Sequence, residues 1–156
     1  DNNGIINDND RTFIGYPTPE WTFSLNNSLT YKAFDLQIYL QGVAGNAIYN
    51  QNRVSLEGMS TIQNQTSKVL DRWTGEGTSN SMPRAVYSDP NENTRTSNRF
   101  IEDGSYLRLK NITLGYTLPQ VWAKKVSLNT ARIYMSCQNL YTLTKSPVSD
   151  PDLVGE

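Results

Sequence analysis

The sequence predicts an all-β protein: an antiparallel transmembrane β-barrel segment, part of a larger barrel, with long extracellular loops carrying short helices. Three observations lead there. Four stretches alternate apolar and polar residues with the period of two that a sheet with unlike faces requires. The first two run to about ten or eleven residues, enough to cross a bilayer at barrel tilt, where ordinary soluble strands centre nearer five or six. Short and long connections alternate between the strands, as periplasmic turns and extracellular loops do in bacterial outer-membrane barrels. A soluble β-sandwich with a solvated reverse accounts for the alternation alone. It gives no reason for sorting the loops.

Residues 1–20 read as an extracellular loop, turn-like from Thr12 to Glu20 around Gly15, Pro17 and Pro19. A strand hairpin follows over 21–44. Trp21, Phe23, Leu25, Leu29 and Tyr31 share one face, and Thr22, Ser24, Asn26, Ser28 and Thr30 the other; only Asn27 breaks the apolar side. After a turn at Lys32-Ala33, Phe34, Leu36, Ile38 and Leu40 alternate with Asp35, Gln37, Tyr39 and Gln41. Trp21, Tyr31 and Phe34 at the strand ends fit an interfacial aromatic girdle.

Residues 45–103 form a long extracellular loop, too long for a passive connection. Ala47 to Leu56 and Ser67 to Trp73 are expected to be short helices, the second capped by Ser67 with Val69, Leu70 and Trp73 on one face. Phe100 to Gly104 reads as a strand lead-in ending in a tight Asp-Gly turn. A second hairpin occupies 104–144, with Ser105 to Leu118 as one strand and Ala131 to Thr144 as the other. Ile112, Leu114 and Tyr116 fall on one parity, Leu107 and Leu109 on the opposite one. A β-bulge near Lys110-Asn111 would shift parity in that way, and a second slip falls at Asn139-Leu140. Pro119 removes a ladder donor, and a helical turn is expected from Pro119 to Lys125, with Lys124 and Lys125 suiting its end. Residues 145–156 read as a further extracellular loop.

Composition narrows the function. The chain has 156 residues and is 37% hydrophobic, low for a soluble core, with Asn, Ser, Thr and Gln making up the difference. A net charge of −1 gives no electrostatic case for nucleic acid. There is no His, which removes the commonest general base and every Ser-His or Cys-His arrangement. Cys137 is single, sits in a strand pattern and reads as a small packed side chain. No run of about 18 apolar residues is present, so no transmembrane helix is expected. The chain starts at Asp1 without Met or a signal peptide and is expected to be a piece of a longer protein.

Candidate sites are few. DNNGIINDND, Asp1 to Asp10, resembles a cut-open calcium loop: with Gly4 at the sixth loop position, Asp1, Asn3, Asn7 and Asp10 fall at ligand positions three, five, nine and twelve. Hard oxygens around a Gly turn suit Ca2+; an Asn/Asp-rich turn capping its own backbone explains the same residues. Glu102 and Asp103 are adjacent and face opposite sides of a strand, so they cannot flank one bond as a glycosidase pair does; turn formation before Gly104 is their simpler role. Trp73, Arg72 and Tyr87, and also Tyr49, offer stacking faces and a fork of donors to a ligand in the long loop, or pack that loop on itself. No catalytic constellation is visible.

The stretch FIEDGSYLRLKNITLGYTLP strongly resembles the C-terminal signature of the SusC/RagA-type, TonB-linked outer-membrane receptors of Bacteroidetes. DNDRTFIGYPTPEWTFSLNNSLTYKAFDL, LQGVAGNAIYN, ARIYMSCQNLYTLTK and SDPDL match the same family in the expected order. The resemblance implies the C-terminal part of a barrel in the bacterial outer membrane. It implies import of an oligosaccharide or peptide, energy from the TonB complex, a SusD-like lipoprotein as surface lid, and no catalysis. The plug and the TonB-contacting segment would lie N-terminal to this chain, and further strands beyond Glu156. The alternative from the residues alone is a soluble glycan-binding β-sandwich using Trp73 and Tyr87 as stacking platforms.

Overall fold

The computed structural model describes residues 7–146. The regular elements are β1 (Trp21–Tyr31), β2 (Phe34–Ala44), β3 (Ala47–Tyr49), α1 (Gln51–Glu57), β4 (Ile101–Asp103), β5 (Tyr106–Thr117), α2 (Gln120–Lys125) and β6 (Arg132–Thr144), with short 3-10 turns at Asp8–Asp10, Ser67–Asp71 and Asn98–Phe100. They fall into two compact units. The sheet unit takes Tyr16–Ala47 and the chain from Asp103 onward; the loop unit takes Ile48–Glu102 and the described residues before Tyr16.

The sheet unit is a four-stranded antiparallel sheet in the order β1-β2-β5-β6. Directly paired residues share a face, so the register sorts the whole sheet. Tyr31 pairs with Phe34, Phe34 with Tyr116, and Tyr116 with Ile133. The same reading gives Leu29–Leu36–Leu114–Met135, Asn27–Ile38–Ile112–Cys137, Leu25–Leu40–Leu109–Tyr141 and Phe23–Gly42–Leu107–Leu143. One face is thus apolar across all four strands, interrupted only by Asn27. The reverse face carries Thr30–Asp35–Gly115–Tyr134, Ser28–Gln37–Thr113–Ser136 and Asn26–Tyr39–Asn111–Gln138.

The sorting survives because the predicted bulges are present and matched. Lys110 is the extra residue of β5: Tyr39 pairs with Asn111 while Leu40 pairs with Leu109. Opposite it on β6, Asn139 and Leu140 lie between Gln138, the partner of Asn111, and Tyr141, the partner of Leu109. Asn139 takes φ +51, a left-handed conformation that Asn tolerates better than most side chains. β5 changes parity at its one extra residue, whereas β6 inserts two and keeps its parity, contrary to the slip expected at Asn139-Leu140, and the apolar face continues past the kink.

The apolar face is uncovered. Trp21, Phe23, Leu25 and Tyr31 of β1 and Ile133, Met135 and Leu143 of β6 are all exposed. Aromatic residues gather at both ends of the face, Trp21 and Phe23 at one, Tyr31, Phe34 and Tyr116 at the other. The Phe34 and Tyr116 rings sit 4.7 Å apart. The ten steps from Trp21 to Tyr31 span about 33 Å of strand, or about 25 Å once tilted by ~40°, the height of an outer-membrane apolar band.

On the polar face, Thr113 and Ser136 share a hydrogen bond of 2.9 Å, and Ser136 Oγ donates to Asn111 Oδ1 at 3.1 Å. Arg132 on β6 reaches across β5 to pair with Asp35 on β2, its Nε donating at 3.0 Å. The residue beneath is Gly115, where an added Cβ would meet both charged groups. A larger residue there would displace the Asp35–Arg132 pair and not the backbone.

The ends of elements differ from expectation in several places. Ala47 to Leu56 is not one helix: β3 comes first, Asn50 caps, and α1 runs one residue further, to Glu57. Asn50 Oδ1 accepts from Arg53 N, and that cap sets the start. Ser67 lies inside a 3-10 turn whose cap is Thr66, without a side-chain bond, and Trp73 lies beyond the turn. Phe100 belongs to a 3-10 turn, so the strand lead-in begins at Ile101. Pro119 is the cap of α2 and not its first residue. The Asp-Gly turn is present: Asp103 Oδ1 accepts from Ser105 N at 2.9 Å.

The left-handed bulge gives a direct test. Asn139→Gly is expected to leave stability nearly unchanged, whereas Asn139→Val should lower it by about 1–2 kcal/mol, measured by denaturant unfolding of the folded protein.

Candidate functional site

The loop unit is held by charge more than by apolar packing. Glu57, at the end of α1, is 1% exposed. Arg53, one turn earlier, grips both its oxygens, Nε on Oε1 and Nη2 on Oε2, each at 2.9 Å. The i,i+4 spacing brings the two side chains together on one helix face. Arg53 Nη1 also reaches Glu102 Oε1 at 3.3 Å, and Asn50 Nδ2 donates to the same oxygen at 3.1 Å. Lys68 Nζ stands 3.6 Å from Glu57. Arg99 closes the network from the far end of the loop by donating to the Glu57 carbonyl at 2.9 Å.

A small apolar cluster completes the unit. Phe100 is fully buried, edge-on to Tyr49 at 6.3 Å and covered by the Arg99 guanidinium at 5.0 Å. Tyr49, considered above as a ligand contact, is here a packing residue. Asp89 ties down a second bend: its carboxylate accepts from Asn93 N, Thr94 N and Thr94 Oγ1 at 2.6–2.8 Å.

Hydrogen bonds from Arg53 hold the Glu57 carboxyl below its ordinary range, against the opposing effect of burial. Burial alone would raise Asp89; the bonds from Thr94 and Asn93 outweigh it and lower it. Burial lowers Arg99. Its Nε finds no acceptor among the described residues.

Beside this frame lies a cleft of about 1240 Å³, lined by Trp73, the 79–84 segment, Arg95, Arg99 and part of the 7–14 segment. Trp73 is held there by its own N–H, which donates to the Met82 carbonyl at 3.2 Å. Trp73 is 36% exposed. Arg11 and Arg95 on the lining are paired with Asp8 and Glu92. An aromatic face beside amides, hydroxyls and neutralised guanidinium groups can stack on and hydrogen-bond a polar ligand.

The three candidate ligand residues are not brought together. Tyr87 lines a separate hollow of about 430 Å³ with Ser60, Ile62 and Asp89. Arg72 lines neither and turns Nη1 toward the Val69 carbonyl at 3.5 Å. Of the calcium-type loop, Asp1 and Asn3 lie outside the described residues. Asn7 caps the 3-10 turn, its side chain accepting from Asn9 N at 2.8 Å, while Asp10 accepts from Asn7 N at 2.9 Å. Those bonds make the capping arrangement weighed above, so the described half supplies no independent sign of a cation. Among the described residues, no three His, Cys, Asp or Glu gather as metal ligands.

Two features of the site escaped the sequence. Arg53 and Glu57 were hidden because the expected helix stopped at Leu56. Glu102 was read as a turn residue, but it is the remote anchor of α1. The i,i+4 pairing of Arg53 with Glu57 was the available signal.

The Glu57 shift sets a pH dependence. A carboxyl whose pKa folding lowers contributes stability that is fully present at neutral pH and is lost as pH falls through its folded value. Hydrogen exchange of α1 amides is expected to show extra opening below about pH 4. Glu57→Gln should weaken that acid dependence, Asp89 supplying the remainder, and lower the opening energy at neutral pH by about 2–3 kcal/mol.

Comparison with known proteins places this geometry. No family model matches the chain. Two TonB-dependent receptors of Formosa agariphila are 39% and 33% identical over 97% and 96% of the chain. The TonB-dependent receptor SusC of Bacteroides thetaiotaomicron is 26% identical over 97%. The chain spans about 15% of the length of these relatives. Among solved structures, the RagAB peptide importer in its open-open state matches with a TM-score of 0.74 and 27% identity, over 86% of this chain and 15% of that one. A further structure, of the RagAB peptide transporter, matches at 0.73 and 26% identity. On sequence and fold together, the chain belongs with the TonB-dependent receptors of the SusC/RagA type.

Proposed function

We propose that this chain is a C-terminal arc of an outer-membrane importer that takes up an oligosaccharide or peptide with energy from the TonB complex and a SusD-like lipoprotein over its extracellular mouth. The sheet unit is barrel wall: its apolar face meets outer-membrane lipid and its polar face lines the interior. The 32–33 turn and the 118–129 excursion are periplasmic. Residues 1–20, 45–103 and 145–156 are extracellular loops, and the Trp73 cleft of the loop unit is a place where cargo touches the receptor. Arg72 and Tyr87 are secondary candidates for the same contact.

The observation that carries the reading is the uncovered apolar face, continuous over four long strands and edged with aromatic residues at both ends. Water would penalise such a face heavily, while hydrocarbon suits it. The reverse face is polar, with hydroxyls and amides bonded to one another, as a water-filled interior permits. The TonB-dependent relatives and the peptide importer named above support the same reading by likeness.

Two substitutions in the full receptor test it. Ile38→Arg puts a charge near mid-depth of the apolar face, and is expected to cost about 2–4 kcal/mol and to abolish the heat-modifiable folded band in outer membranes. Normal assembly of that variant would overturn the barrel reading. Trp73→Ala is expected to weaken cargo binding about 5- to 30-fold, as loss of one stacking face does, while Tyr87→Ala in the separate hollow has a smaller effect. Unchanged binding by Trp73→Ala would remove the cleft from the cargo path.

A further inference from the structure

The excursion between β5 and β6 carries a second uncovered apolar surface, separate from the strands. Within ten residues, Val121, Trp122, Val126 and Leu128 are 70%, 59%, 65% and 49% exposed. Ala123 alone in this stretch is buried. A ten-residue excursion in water has no reason to present a Trp and three aliphatic side chains outward. The segment is well formed all the same. Leu118 N donates to Ala131 O at 2.9 Å at its base, Trp122 N to Pro119 O at 2.9 Å, and Leu128 N to Ala123 O at 3.0 Å. Lys124 and Lys125 end the helix. An aromatic residue with aliphatic neighbours and paired lysines is the composition that lies in the plane of a membrane interface, rings at headgroup depth and ammonium groups among the phosphates.

Continuity with the sheet argues for the same occupant. α2 leaves β5 directly after Tyr116 and Thr117. Tyr116 belongs to the last row of the apolar face, with Tyr31, Phe34 and Ile133. That row is an aromatic edge, and the excursion begins three residues beyond Tyr116. We propose that the 119–128 excursion is an interfacial anchor of the wall: Val121, Trp122, Val126 and Leu128 sit in the headgroup–acyl boundary of the periplasmic leaflet, with Lys124 and Lys125 facing lipid phosphates. The anchor fixes the depth and tilt of the β5-β6 hairpin, which the apolar band alone leaves free to slide. This inference rests on the barrel reading, and its test separates the two.

The experiment uses the full receptor, freed of reactive cysteines with Cys137→Ala, and reconstituted into vesicles containing brominated phospholipid. An environment-sensitive fluorophore is attached in turn at Trp122→Cys, Val126→Cys, Leu36→Cys and Thr78→Cys, the last an exposed loop control. The anchor requires blue-shifted emission at positions 122 and 126 relative to 78, quenching by bromine near the top of the acyl chain, and weak quenching by aqueous iodide. A lipid-quenched probe at 36 with iodide-quenched probes at both 122 and 126 would overturn the anchor and leave the barrel intact. Iodide quenching at 36 as well would overturn both. Probes at 122 and 126 shielded from iodide and from brominated lipid alike would assign the surface to a protein neighbour and overturn the lipid anchor.

Discussion

A slip of one residue in any of the four long strands would turn its leucines and aromatics onto the polar face and its threonines and amides onto the apolar one. Everything in the sheet unit depends on that not happening. The two-residue turn at Lys32-Ala33 fixes the first pair, with Tyr31 opposite Phe34. The second pair is harder to hold, because both strands are bulged. One extra residue at Lys110 faces two at Asn139 and Leu140, so the distortions match and the pairing resumes in phase on either side. The Asp35–Arg132 pair then ties β2 to β6 across Gly115, which a larger residue would obstruct. Near the protein surface such a pair adds little energy. It nevertheless links β2 and β6 across β5 in the observed register.

The loop unit uses a different physics. Its apolar cluster is small, and its centre is a buried carboxylate with a bidentate guanidinium and further cations around it. A buried pair of this kind is weak evidence for high stability, since desolvation consumes much of the attraction. What it does do is tie together opposite ends of a long segment, since Arg53 and Glu57 meet Arg99 and Glu102 there. Trp73 is positioned by the same economy, through a backbone hydrogen bond and not through a packed core.

The sheet was legible because period-two patterning is written in every residue and because a parity change has one simple cause, the bulge. The four long strands therefore begin and end within a residue or two of the alternation, and the bulge at Lys110 was legible, whereas at Asn139-Leu140 two inserted residues leave the parity of β6 unchanged. The loop was legible only as a loop. Its helix boundaries depend on one asparagine cap and one backbone contact, Asn50 N to Phe100 O, formed across fifty residues. Propensity does not see such contacts. The same limit explains the site. Trp73, Arg72 and Tyr87 are near neighbours in sequence and chemically alike as ligand groups, but turns between them send Trp73 and Tyr87 into separate hollows. A cluster read from composition is a list of candidates until the backbone gathers it.

The exposed polar face of the sheet has a consequence for how such a protein diversifies. Apart from Asp35 and Arg132, which neutralise each other, it is lined by hydroxyls, amides and tyrosines, and Arg108 is buried against Tyr106. A surface of that kind has almost no field of its own and distinguishes poorly between ligands of opposite charge. In the importer proposed above, selectivity would fall to the loops. Under that proposal the strands need not change when the loops do.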